Sequence, residues 1–182
     1  MTIHVALLRG INVGGKNLIK MSALKDTFEA DGFENVRTYI QSGNVLFESP
    51  GKGGAALANR IETMLESTFG IPLLVVVRSR SQMRAIVDRA PEGFRSQAYR
   101  HNVLFLREPL TAREAMKSVS TREGVDEAHV GPGVVYFSYL IARASQSHVS
   151  RIASMPFYKS TTIRNWNTTT KLLGLLEAER RV

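Results

Sequence analysis

Two short stretches constrain this chain more than anything else in it. Residues 4–9 read HVALLR and residues 102–107 read NVLFLR, and the apolar patterns downstream of each run in the same order. A repeat of this length means that one supersecondary unit has been built twice. In the first half, the apolar run over residues 3–8 predicts a buried strand. Residues 22–30 predict a helix that turns Met21, Leu24 and Phe28 to one face, with Gly32 as its C-cap. Alternation over residues 36–40 and 45–47, around Gln41-Ser42-Gly43-Asn44, predicts a hairpin. After the flexible PGKGG at 50–54, Leu57, Ile61, Met64, Leu65 and Phe69 make a helical stripe ended by Gly70. A strand over 73–77 and a helix capped by Ser81 complete the half.

The second half repeats the plan. A strand over 102–106 leads to Thr111-Ala112-Arg113-Glu114, a capping box that opens a helix. Strands over 127–130 and 134–140 flank Gly131-Pro132-Gly133. A helix over 147–155, a strand over 159–163 and a final helix from about Asn165 complete it. Strand–helix–strand–strand–helix–strand is the ferredoxin-like order. The prediction is an α+β chain of two tandem ferredoxin-like (βαββαβ) halves packed as one unit, with mainly antiparallel sheets, divided as 1–91 and 92–182.

The halves differ most where the first strand ends. Residues 9–20 read RGINVGGKNLIK, whereas the second half joins strand to helix with Glu108-Pro109-Leu110. Connections are usually about 4–6 residues, and longer ones tend to be functional or disordered. In the βαββαβ order, the end of strand 1, the tip of the strand 2–3 hairpin and the turn after Gly70 share one edge. That edge can collect Arg9, Asn12, Gly14, Gly15, Lys16, Asn17, Lys20, Gln41, Ser42 and Asn44 as ligand-binding residues.

The loop nearly fits G-x-x-x-x-G-K-[ST], but Asn17 stands where the Mg²⁺-binding hydroxyl belongs and Leu18-Ile19-Lys20 does not read as a helix start. An NTPase is set aside. Two readings stay open: a looser anion nest of glycine amides with Lys16, or glycines that only permit positive φ in a packed loop. Lys159 to Lys171 (KSTTIRNWNTTTK) is a second unusual stretch. Arg164 and Lys171 can contact phosphate, and Trp166 either stacks on a base or plugs the core.

Charge supports the same direction. The net charge is +8, and no acid occurs before Asp26 or between Glu127 and Glu177. Basic surfaces attract phosphates, nucleic acid or acidic partners, though charge alone names none of them. With no cysteine there is no disulfide, thiolate nucleophile or Cys-based zinc site. The four histidines lack metal-ligand spacing, so no metal and no cofactor is expected. No G-x-S-x-G elbow or carboxylate pair marks catalysis. No run reaches the roughly 20 apolar residues of a membrane span, and the start lacks signal-peptide features. No membrane partner is expected, and the cytoplasm is the expected location.

RGINVGGKN, KMSALKDTFEADGFENVRTYIQSGNVLFES and TTIRNWNTTTKLL together resemble a bacterial family, domain of unknown function 1697, over nearly the full length. The resemblance implies two ferredoxin-like halves in a small cytoplasmic protein, and it brings no activity, cofactor or catalytic residue. The leading expectation is therefore binding of a phosphorylated or anionic ligand, or nucleic acid, at the 9–20 and 41–44 edge. An enzyme acting on a small phosphorylated or nucleotide substrate there, and an interaction module, are the alternatives.

Overall fold

The computed structural model describes residues 1–178. Compactness divides it into two units. The first holds Met1–Met83 and the described residues from Leu172 on; the second is Arg84–Lys171.

Unit 1 carries β1 (Thr2–Leu8), α1 (Met21–Ala30), β2 (Glu34–Tyr39), β3 (Asn44–Ser49), α2 (Ala55–Phe69) and β4 (Val75–Ser79). Its strands form an antiparallel sheet in the order β2-β3-β1-β4. Central β1 alternates: Ala6 and Leu8 join Phe28, Phe47, Ile61 and Leu65 in the core beneath the helices. Phe28, Phe33 and Phe47 meet with ring centroids 4.9–5.5 Å apart. Helix α2 ends where Gly70 turns left-handed at φ 67° and its N–H reaches Glu66 O.

His4 lies on the same face of β1 and is fully buried. It stacks on Phe47 at 5.5 Å, and a Cβ added at Gly53 would stand 3.1 Å from its ring. Among the described residues neither ring nitrogen makes a well-formed hydrogen bond, and the Gly51 backbone gives only a weak one. Burial lowers its pKa below 6.5, and the nearby Gly51 backbone offsets part of that shift. The folded imidazole is thus neutral where the unfolded one begins to bind a proton. Below about pH 6.5 the unfolded state holds more protons, so stability falls with pH until the folded-state pKa is passed. Urea titrations at pH 7.5 and pH 5.5 should show a smaller acid-side loss for His4→Leu than for the parent; equal losses would remove His4 as the cause.

Unit 2 carries β5 (Tyr99–Leu106), α4 (Ala112–Met116), β6 (Asp126–Gly131), β7 (Val134–Leu140) and β8 (Thr161–Asn165), in the sheet order β6-β7-β5-β8. Each order is the ferredoxin-like one, so the α+β architecture of two tandem halves holds. The Thr111 capping box forms as read: Thr111 Oγ1 accepts from Glu114 N at 3.2 Å, and Glu114 Oε2 accepts from Thr111 N at 2.9 Å.

Three expectations need correction. The cap of α3 (Arg80–Asp88) is Ser79, not Ser81: Gln82 N donates to Ser79 Oγ at 3.2 Å, and Ser79 N donates to Gln82 Oε1 at 2.8 Å. The helix expected over 147–155 is instead a run of 3-10 turns over Ile141–Gln146, His148–Ser154 and Pro156–Ser160. The buried Asp126 carboxylate accounts for this by accepting from Ser147 Oγ at 2.5 Å, His148 N at 2.9 Å and Arg122 N at 2.8 Å. Those bonds fix Ser147 as a cap, and Pro156 removes a donor nine residues later. The strand expected over 159–163 lies two residues later, at Thr161–Asn165.

Compactness also cuts the chain differently from the repeat. From Arg84 on, α3 belongs to unit 2, while α5 (Trp166–Ala178) belongs to unit 1 from Leu172 on. Each half of the repeat thus gives part of its closing helix to the other unit. Bonds inside each unit fit this assignment. Tyr136 Oη donates to Ile86 O of α3 at 2.5 Å, and Arg37 Nη2 donates to Leu175 O of α5 at 3.3 Å.

Candidate functional site

Residues 9–20 fold into a small closed loop at the end of β1. Its tip is a tight turn: Lys16 N donates to Val13 O at 3.1 Å, with Gly14 and Gly15 at φ 59° and 72°. Two successive positive φ values are the signature of a type I′ turn, which glycine adopts without strain. Below the tip, Asn12 N donates to Asn17 O at 3.1 Å and Asn17 Nδ2 donates to Gly10 O at 2.9 Å.

Asn12 is the fastener. Its Oδ1 accepts from Ile19 N at 2.8 Å, and its Nδ2 donates to Ile19 O at 3.0 Å and to Gln41 O at 2.9 Å. One side chain therefore closes the loop and ties it to the hairpin. Leu8 N donates to Gly43 O at 2.8 Å, and Arg9 N donates to Leu74 O at 3.0 Å, which joins the connection after α2 to the same edge. Ile11 and Ile19 are buried beneath the loop. Asn44 is also buried, with Nδ2 on Tyr39 O at 2.9 Å and on Ser42 Oγ at 3.1 Å.

The predicted residues thus fall into two groups. Asn12, Asn17 and Asn44 hold the edge together through their side chains. Gly14, Gly15, Lys16, Lys20 and Gln41 stand exposed on it, with Arg9 and Ser42 half-buried. The turn at the tip, where a P-loop would start a helix at its lysine, sets this loop apart from nucleotide-binding P-loops. Helix α1 begins only at Met21; Lys20 takes its N-cap position without a side-chain cap bond, and no acid lies in its first turn.

A family model described as "Protein of unknown function (DUF1697)" matches residues 1–136, which include the loop and the hairpin. The chain belongs to this family. It is also similar to a conserved bacterial protein from Streptococcus pneumoniae whose structure has been solved. The two are 28% identical with a TM-score of 0.86, over 96% of this chain and 98% of that one. No curated protein matches it.

The remaining predicted residues of this family member lie in unit 2. Lys171 is exposed on α5. Arg164 is 8% exposed, and its Nη1 donates to Thr162 Oγ1 at 3.0 Å and Ile163 O at 2.9 Å. Burial pulls its pKa down to about 10, so it stays charged at neutral pH. Sequence reading missed its counterpart. Arg164 faces Val103 across β5–β8, as Arg78 faces Val5 across β1–β4. Arg78 is also buried, and its Nη1 donates to Val77 O at 2.9 Å. Val5 and Val103 hold matching places in HVALLR and NVLFLR, but the segments that follow differ in length, so it is the strand pairing that matches the two arginines. Both guanidiniums are buried at matching positions of the two sheets, and each donates to the carbonyl of the residue before it.

Among the described residues, no group of three His, Cys, Asp or Glu could hold a metal, and no helix is long and apolar enough to cross a membrane.

Proposed function

We propose that this protein binds a phosphorylated or otherwise anionic ligand at the edge of unit 1. The reading rests on one observation: an exposed Gly14-Gly15 turn sits beside Lys16 on a frame locked by Asn12. A Cβ at either glycine would meet nothing within 4 Å, so a ligand oxygen can approach the turn's backbone. Lys20 and the uncapped, acid-free start of α1 add positive charge. Residues 9–20 and 41–44 contain no carboxylate or histidine to act as a general acid or base, which favours binding over catalysis.

A second reading, an edge that docks a protein, is favoured by exposed apolar side chains at the same place. Val13, Leu18 and Ile40 are 64%, 74% and 47% exposed.

Amide NMR titration with inorganic phosphate, mononucleotides and short oligonucleotides at low salt separates the two. The expected result is saturable shifts at Gly14, Gly15 and Lys16, with affinity lowered at least tenfold in the Lys16→Glu/Lys20→Glu variant and falling steeply with salt if the ligand is a nucleic acid. Shifts absent with every anion would overturn the reading.

A further inference from the structure

We propose that unit 2 carries a separate site for a nucleotide, in the cleft between the 3-10 turn Glu92–Arg95, the start of β5 and the amino end of α5. The cleft has a volume of about 270 Å³, close to the lower bound of roughly 300 Å³ for small-molecule sites.

Its walls are aromatic. Phe94 is buried and touches three other rings: Trp166 edge-on at 5.0 Å, His101 at 4.5 Å and Tyr136 at 5.3 Å. Tyr99 stacks on His101 at 6.3 Å. Trp166 and Tyr99 are half-buried on the cleft wall, the condition in which a ring can still take a base. Base–aromatic stacking is worth about 1–3 kcal/mol per base.

The charged side chains on this cleft's own wall are arginines. Arg95 and Arg100 line the cleft, and among the described residues no carboxylate does. Phe94, Arg95 and Trp166 also line an adjoining hollow of about 670 Å³, where Asp88 and Glu92 are the acidic side chains. An apolar ligand would have no use for two guanidiniums, and a bare phosphate none for the rings. A base joined to a phosphate uses both.

The polar groups suit recognition more than reaction. His101 Nε2 lies 2.8 Å from Ser96 O and must donate to it, so in the neutral ring Nδ1 accepts from Ser138 Oγ at 2.9 Å. Held at both ends, the imidazole is a wall and not a free base. Asn165 Oδ1 accepts from Thr168 N at 2.7 Å, which fixes the side chain at the start of α5 and leaves its NH₂ to donate to a base edge. Asn167 and Gln97 line the cleft with further amides.

Trp166 is the chain's one tryptophan, so its fluorescence reports on this wall of the cleft, and the arginine variants tie a quench to the cleft's basic side. Titration with AMP and UMP should quench it saturably, while inorganic phosphate should not. Arg95→Glu/Arg100→Glu should raise the apparent Kd at least tenfold at unchanged Tm, and Lys25→Glu, a charge control on α1, should not. Trp166→Ala, followed by anisotropy of a labelled decanucleotide, should lose at least fivefold in affinity. A single-stranded decanucleotide binding tenfold tighter than UMP, with steep salt dependence, identifies a strand as the source; equal affinities identify the free nucleotide. No saturable quench up to millimolar nucleotide, or a quench untouched by the arginine changes, overturns the proposal.

Discussion

Gly43→Ala is expected to destabilise the protein by about 3 kcal/mol and to release the 9–20 loop. The residue sits at φ 84°, and its carbonyl accepts from Leu8 N at 2.8 Å. A Cβ there would stand 2.8 Å from Ile11 Cδ1 and 2.9 Å from Leu8 Cβ. Two effects add. A left-handed conformation costs a non-glycine residue roughly 1–2 kcal/mol, and overpacking a core contact costs roughly 1–3 kcal/mol. Leu8 Cβ is fixed to the central strand, so Ile11 must yield. Ile11 is buried beneath the loop that Asn12 closes, and pushing it out detaches the loop from the hairpin. Urea titration reads the stability loss. Hydrogen exchange at Ile19 N, which donates to Asn12 Oδ1, reads the loosened loop. Ile11→Ala and Gly43→Ala should cost less together than the sum of their separate losses, because the first removes a group that clashes with the second. A loss below about 1 kcal/mol for Gly43→Ala would mean that the loop is not wedged against the hairpin.

That dependence shows how much was legible in the sequence. The period-2 and 3.6-residue patterns place the strands and the long helices, because burial of one face dictates both patterns. Chain direction then puts residues 9–20 beside 41–44 without any side-chain detail. Sequence could not show which polar residues face inward. An asparagine in a Gly-rich loop reads the same whether it meets a ligand or staples a backbone, and Asn12 proves to do the second. The 3-10 turns over Ile141–Ser160 were hidden for a similar reason. They answer to Asp126, whose partner Ser147 lies 21 residues along the chain. The Trp166 cleft was half legible: RNWN marked the tryptophan and its amides, but Arg95, Arg100 and Tyr99 come from a distant stretch with no local signal. Only the fold brings these groups together.

Gly131→Ala is expected to cost at least as much as Gly43→Ala, for a reason that leads to that cleft. Gly131 ends β6 opposite Val134. A Cβ there would fall 2.3 Å from Tyr136 Cε2 and 2.8 Å from Tyr136 Cζ. The tyrosine ring has little freedom to move. It is fully buried, its hydroxyl donates to Ile86 O, and Phe94 packs against it edge-on. Burial holds its pKa up at about 12, against the pull of Arg89, so the hydroxyl remains a donor across the working pH range. Any shift of the ring that relieves the clash stretches the bond to Ile86. An unsatisfied buried group costs roughly 1–3 kcal/mol, and the overpacking costs a similar amount; together they amount to about 4 kcal/mol, a large share of the roughly 5–15 kcal/mol that holds a domain folded. The two causes separate in a double-mutant cycle. Tyr136→Leu lacks the ring atoms that clash, so Gly131→Ala should cost less in that background, with the 2.8 Å approach to Val134 Cγ2 remaining; additive losses would place the strain at Val134 and not at the ring. Because Phe94 joins Tyr136 to Trp166, a folded Gly131→Ala protein should also show a shifted Trp166 emission maximum before any denaturant is added. An unshifted spectrum would mean that the floor of the cleft does not depend on the packing beneath it.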